Sequence, residues 1–183
     1  MSDELIPDVL PGYAERRTFL RIGNQFRDAC IELAGLRPGS RVLDVGCGVG
    51  RLAVALTDYL TEGSYVGTDV APASIDACVE KVGSRFDNFD FHLIEATNHH
   101  YAPEHAQAAS KVPFGFSDRS FDVVFANSLY THLLTDDTVH YLTEMTRVLD
   151  VGGRMLITIF LLDDRAREGL DSGRCTAGWS LEH

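Results

Sequence analysis

Three glycines spaced one residue apart, Gly46, Gly48 and Gly50, follow directly on the strand-like run Arg41–Val45. Glycine takes φ > 0 without strain and leaves room where a Cβ would block a ligand, so this spacing suits close approach of a ligand to the backbone. The apolar run Leu52–Leu56 opens a helix at once, and its free N–H groups and positive dipole end would face the turn. A nucleotide-like ligand fits such a turn. Asp69 closes the next apolar run, near where an open α/β sheet places the carboxylate that holds ribose hydroxyls, and one carboxylate can accept from both. Further on, Asn127, Tyr130 and His132 follow the run Phe121–Ala126. Tyr130 and His132 could orient or deprotonate a hydroxyl or amine, since histidine titrates near working pH. Beside Leu133 and Leu134, the same two side chains would equally serve as half-buried packing.

These residues need strands that end together. Arg41–Val45, Ser64–Asp69, Phe89–Ile94, Phe121–Ala126 and Met155–Leu162 read as five strands, separated by helical segments. That alternation predicts an α/β fold with a mainly parallel, Rossmann-like doubly wound sheet and a ligand crevice at the carboxyl strand ends. A first helix is expected from Asn24 as N-cap to Gly35, another from Ala73 to Val82, and a third from Thr135 with Val139, Leu142, Met145, Thr146 and Leu149 on its apolar face.

The turn reads Gly-x-Gly-x-Gly, which departs from the Gly-x-Gly-x-x-Gly dinucleotide fingerprint. With Val42, Leu43 and Asp44 before it, the segment resembles the first motif of the class I S-adenosylmethionine-dependent methyltransferases. Gly67-Thr68-Asp69 resembles the second motif of that family, Pro113–Ser120 its approach to the fourth strand, and Arg147–Arg154 its Arg-Val-Leu-x-x-Gly-Gly turn. The resemblance spans residues 36 to 162. It implies S-adenosylmethionine as cofactor, methyl transfer to the oxygen or nitrogen of a small-molecule acceptor, and sheet order of the class I type. It also implies a cofactor site made of Asp44, Gly46, Cys47, Gly48, Gly50, Asp69, Val70, Glu95, Ala96 and Asn127. Tyr130 and His132 would then stand beside the transferable methyl as catalytic candidates. Glu95 would accept from the adenine amino group and the Ala96 N–H would meet a ring nitrogen. One of Arg16, Arg17 and Arg21 could pair with the methionyl carboxylate of the ligand. Two rivals stay open: an NAD(P)-dependent oxidoreductase, and a non-catalytic ligand-binding module on the same fold.

Composition bounds the partners. The 183 residues, 45% hydrophobic, suffice for one well-buried domain. We divide it into an N-terminal arm and helix at 1–36, a cofactor-binding core at 37–162 and an irregular tail at 163–180, with Leu181-Glu182-His183 reading as a tag remnant. A formal charge of −11 without a Lys/Arg run argues against nucleic acid as substrate. Cysteines at 30, 47, 78 and 175 lack Cys-x-x-Cys spacing, and neither a leader nor a membrane-length apolar run is evident, so a cytoplasmic protein with reduced thiols is expected. The stretch Thr97–Ser117 holds His99, His100, Tyr101 and His105 without metal-ligand spacing; a lid over the cofactor, and no metal, is expected there. The family normally adds two more strands after the fifth, which the tail does not show. An uncovered fifth strand would offer its edge to a second copy, giving a homodimer.

Overall fold

The computed structural model describes residues 2–10, 15–97, 107–159 and 163–173. Its centre is a five-stranded sheet of β1 (Arg41–Val45), β2 (Ser64–Asp69), β3 (Phe89–Leu93), β4 (Phe121–Ala126) and β5 (Leu149–Ile157), in the order β3-β2-β1-β4-β5. Every pairing is parallel. The chain winds one way from β1 to β3 and the other way from β4 to β5, so the order reverses between β1 and β4, where a crevice opens at the carboxyl ends.

Among the described residues five α-helices accompany the sheet: α1 (Arg16–Ala34), α2 (Arg51–Leu56), α3 (Pro72–Cys78), α4 (Thr135–Val148) and α5 (Asp164–Asp171). Alternation along β1 sends Val42 into one apolar cluster, with Phe19, Cys30, Leu56 and Tyr65, and Leu43 and Val45 into another, with Val124, Tyr141, Met145 and Val148. Both sheet faces are therefore covered, as the continuous apolar character of β1 and β4 requires.

Several boundaries differ from the sequence reading. α1 begins at Arg16, well before Asn24, because its buried stripe runs through Phe19 and Gly23 to Cys30 and Ala34. Gly23 adds nothing to an apolar count, yet it is needed for packing: a Cβ there would lie 2.5 Å from the Arg51 carbonyl oxygen at the start of α2. The arm before it is part of the core, with Leu5 and Ile6 buried and Arg16 donating to the Ile6 carbonyl at 3.1 Å.

α3 starts at Pro72 and passes at Val79 into a π-helical turn ending at Gly83. The buried face of α4 is Tyr141, Glu144, Met145 and Val148, rotated from the expected one, and Val139 is exposed. The rotation follows from Glu144, a charge that is buried because Arg147 grips it bidentately at 2.8 Å and the Phe114 N–H donates to it at 2.9 Å. β5 starts at Leu149, inside the expected turn, with a register shift opposite Phe121 and Val123. Arg41 ties this end of the sheet together by donating to Asp122 at 2.6 Å and Asp150 at 2.7 Å. The tail expected to be irregular contains α5, which is capped by Asp163 accepting from the Ala166 N–H at 2.7 Å. β3 and β5 form the two edges of the sheet among the described residues.

Candidate functional site

The turn after β1 is held from both sides. Gly46 and Cys47 donate backbone N–H groups to the Thr68 carbonyl at 2.8 and 2.9 Å, so the loop cannot drift from the end of β2. Gly46, Gly48 and Gly50 all have positive φ. At Gly50 the reason is internal, since a Cβ would lie 2.9 Å from Cys78 Sγ. Around Gly48 nothing lies within 4 Å of an added Cβ. That open side is a cavity of about 410 Å³.

The cavity sits at the carboxyl ends of β1, β2 and β4, where the strand order reverses. Gly46, Cys47, Gly48, Asp69, Val70, Asn127 and His132 line it, joined by Arg51, Ser74, Thr97 and Tyr141. Arg51 was not among the arginines the sequence suggested. Arg16, Arg17 and Arg21 do not line the cavity; Arg21 donates to Gln25 at 3.2 Å. Arg51 follows directly on the third glycine as the first residue of α2, a position that could have drawn notice. Its guanidinium also lies 4.8 Å from the centre of the Phe26 ring.

Asp69 is the best-defined polar group. Its Oδ2 accepts the Gly48 N–H at 2.8 Å and its Oδ1 the Ala71 N–H at 2.9 Å. Ionised carboxylate oxygens have about four lone-pair sites in all, so acceptor capacity remains toward the cavity. Burial raises the Asp69 carboxyl, against the opposing pull of the Ala71 and Gly48 N–H groups.

Asp44 does not reach the cavity. It is buried beneath the turn, where Tyr65 donates its hydroxyl at 2.6 Å, and burial pushes its carboxyl up to about 7 against the lowering effects of Tyr65 and Arg51. Its part is to pin β1 to β2. Gly50 likewise shapes the turn from behind and does not line the cavity.

Glu95 is exposed and stands outside the cavity lining. Ala96 is buried, and its N–H is taken by the Ile94 carbonyl at 2.8 Å. The tight turn after β3 thus leaves Glu95 outside the cavity lining and bonds the Ala96 N–H within the chain, so neither residue stands at the cavity where contacts with a base were expected. Tyr130 and His132 share a short 3-10 turn but diverge. His132 lines the cavity, whereas Tyr130 packs inward with its hydroxyl 3.2 Å from Met145 Sδ, and burial pushes its phenol up to about 12. Asn127 is oriented by Thr158, which donates to it at 3.0 Å while accepting from the Ser128 N–H at 2.8 Å.

His99, His100, Tyr101 and His105, the expected lid, lie outside the described residues. Among the described residues no group of three or more His, Cys, Asp or Glu side chains gathers as a metal site, and no helix is long and apolar enough to cross a membrane.

A parallel sheet with its cavity at the reversal point, a glycine turn opening into it and a carboxylate at the end of β2 define a Rossmann-like α/β protein. Residues 42–153 match the methyltransferase domain family. The chain is 31% identical over 169 residues to methyltransferase GfsG of Streptomyces halstedii, covering 88% of this chain and 54% of that protein. It is 30% identical to aklanonic acid methyltransferase DauC of a Streptomyces species, over 77% of this chain and 59% of that one. In fold it is similar to the PH0226 protein of Pyrococcus horikoshii, with a TM-score of 0.62 at 24% identity, covering 91% of this chain and 68% of that chain. The chain belongs to the class I S-adenosylmethionine-dependent methyltransferase family, and it spans about half the length of the relatives it matches.

The residues present fit that cofactor. The space at Gly48 is one a side chain would fill, and Asp69 keeps acceptor capacity beside it. Arg51 offers a cation and Val70, Ile94 and Leu133 offer apolar wall.

Proposed function

We propose that this chain transfers the methyl group of S-adenosylmethionine to an oxygen or nitrogen atom of a small organic acceptor. The observation that carries the reading is the placement of Asp69 and the open face of Gly48 on one cavity at the sheet's reversal point. When bound, the cofactor supplies a methyl already activated by its sulfonium centre. The chain's residues then have to hold: Asp69 accepts ribose hydroxyls, the glycine turn admits the ligand against backbone, and Arg51 meets a carboxylate. Holding a nucleophile at attack distance and keeping water out supplies much of the acceleration.

His132 and Asn127 form the polar rim where the acceptor would enter, beside Leu129 and Leu133. His132 can take the proton that an attacking hydroxyl or amine releases. Tyr130 cannot serve as a base with its phenol held high and turned toward Met145. A net charge of −11 and the half-apolar rim favour a neutral or cationic small molecule. Relatives that bear the names of aklanonic acid and of phthiotriol dimycocerosates support a small organic acceptor.

A thermal-shift comparison of S-adenosylhomocysteine with NAD and NADP tests the ligand. Saturation to about 100 times Kd adds roughly 2.7 kcal/mol of stability, so the first ligand should raise the melting temperature and the others should not. A shift with NAD alone would reject the proposal in favour of an oxidoreductase. Incubation with labelled cofactor and an extract of small metabolites, read by mass spectrometry, tests the transfer itself.

A further inference from the structure

The cavity contains a buried phenol that neither the motifs nor the proposed chemistry uses. Tyr141, on α4, lines the cavity and is 3% exposed. Its ring packs edge-on against Phe114, with centroids 5.0 Å apart. Its hydroxyl has no hydrogen-bond partner among the described residues. A buried hydroxyl without a partner carries a cost that native proteins avoid, and here the open volume beside it offers a remedy. Burial first, then the charges of Asp137 and Asp69, raise the phenol, so it stays protonated and can both donate and accept.

The surroundings indicate which part of a ligand it meets. Ile94, Ala109, Leu133 and Val70 give this end of the cavity apolar walls, while the glycine turn, Arg51 and Asn127 make the other parts polar. Asp69 lines the same cavity, and its charge is felt at the Tyr141 phenol. A nucleoside whose ribose is held by Asp69 would lay its flat base against these apolar walls, where a few polar groups fix orientation. Glu95 and the Ala96 N–H do not face that space, as shown above.

We propose that the Tyr141 hydroxyl is the base-reading group of this site: it hydrogen-bonds the polar edge of the cofactor's adenine and so helps select a 6-aminopurine. The proposal rests on S-adenosylmethionine as the ligand. Tyr141 is a positioning and specificity residue, and takes no part in methyl transfer.

Tyr141→Phe removes only the oxygen, and two readouts should move in opposite senses. Without ligand, the variant should melt at or above the parent's temperature, because an unsatisfied buried hydroxyl is gone. In calorimetric titration, S-adenosylhomocysteine should bind about tenfold more weakly. S-Inosylhomocysteine, in which a carbonyl replaces the 6-amino group, should bind the parent more weakly than S-adenosylhomocysteine, and the ratio of the two affinities should shrink in the variant.

Binding of S-adenosylhomocysteine within twofold of the parent, with the ratio unchanged, would overturn the inference while leaving the cofactor assignment standing. So would a ligand-free variant that melts several degrees below the parent, since the hydroxyl would then be bonded within the protein. A parent that binds neither ligand removes the cofactor assignment and this inference together.

Discussion

The Gly48 backbone N–H donates to Asp69 Oδ2 at 2.8 Å, so the carboxylate at the end of β2 holds in place the turn that opens into the cavity. One side chain therefore serves both the shape of the site and its expected contact with ribose.

Asp69→Ala should weaken S-adenosylhomocysteine binding by roughly a hundredfold, or about 2.7 kcal/mol. It should also lower stability by about 1 to 3 kcal/mol, because the Gly48 and Ala71 N–H groups lose their acceptor. Calorimetric titration and thermal melting measure the two effects. An affinity within about threefold of the parent's, a difference of roughly 0.7 kcal/mol, would remove Asp69 from the ligand contacts and leave it the turn alone.

Alanine at Gly48 and at Gly50 should fail differently. Both positions have positive φ, which costs an L-residue about 1–2 kcal/mol. Gly48→Ala meets open space and should fold with a small loss of stability but bind ligand poorly. Gly50→Ala drives a Cβ to 2.9 Å from Cys78 Sγ and should lose markedly more stability. Equal melting temperatures for the two variants would contradict this distinction.

His132→Ala should lower turnover more than cofactor affinity, whereas Tyr130→Phe should change turnover by no more than about threefold. The difference follows from His132 lining the cavity while the Tyr130 hydroxyl meets Met145. Steady-state rates on an identified acceptor, with titrations alongside, decide it. A severe loss in Tyr130→Phe would restore that residue as a catalytic candidate.

Asp44 makes stability depend on pH in an unusual sense. Its carboxyl sits at about 7 in the folded protein and at its ordinary 3.8 in the unfolded chain. Between those values the folded state holds a proton that the unfolded state has released, so stability should fall as pH rises from about 4 to about 7 and level off above. Asp69, also raised by burial, adds the same sign. Glu144, at about 2, and Asp122 and Asp150, also held low by arginine, contribute stability that is lost only as pH falls below the ordinary carboxylate range. They leave the upper window clear. Denaturant titrations across that window should show the slope in the parent and a shallower one in Asp44→Asn, which keeps an acceptor for Tyr65; identical slopes would refute the assignment.

Glu144→Ala should destabilise the fold by about 1 to 3 kcal/mol, since the half-buried Arg147 loses its bidentate partner. The Phe114 N–H loses its acceptor as well. Arg147 retains Asp118 at 2.7 Å, which limits the loss. Glu144→Gln should fall between parent and alanine in a thermal melt. Parent-like stability in the alanine variant would show that the pair is replaceable by water.

Much of the fold could be read along the chain. β1, β2 and β4 occupy the predicted residues because each is a short apolar run ending at a turn residue. The glycine turn and Asp69 were legible for the same reason: their geometry is set by neighbours within the motif and by the strands on either side. The start of α1 was not, since Gly23 matters through the Arg51 carbonyl it lets approach. The α4 face was missed because Glu144 is buried only when Arg147 and the Phe114 N–H are there to meet it.

The site divides along the same line. The sequence by itself determined the strand–turn–helix that presents Gly48 and the strand end that presents Asp69, because backbone conformation there depends on residue type and local spacing. Only the tertiary structure decided that Arg51 and Tyr141 enter the cavity, that Glu95 turns outward and that Tyr130 and His132 part company. Those outcomes depend on the rotation of α4, the turn after β3 and the side chains that already occupy the interior. Residues far apart in the chain meet at angles that packing sets, and no local spacing encodes them.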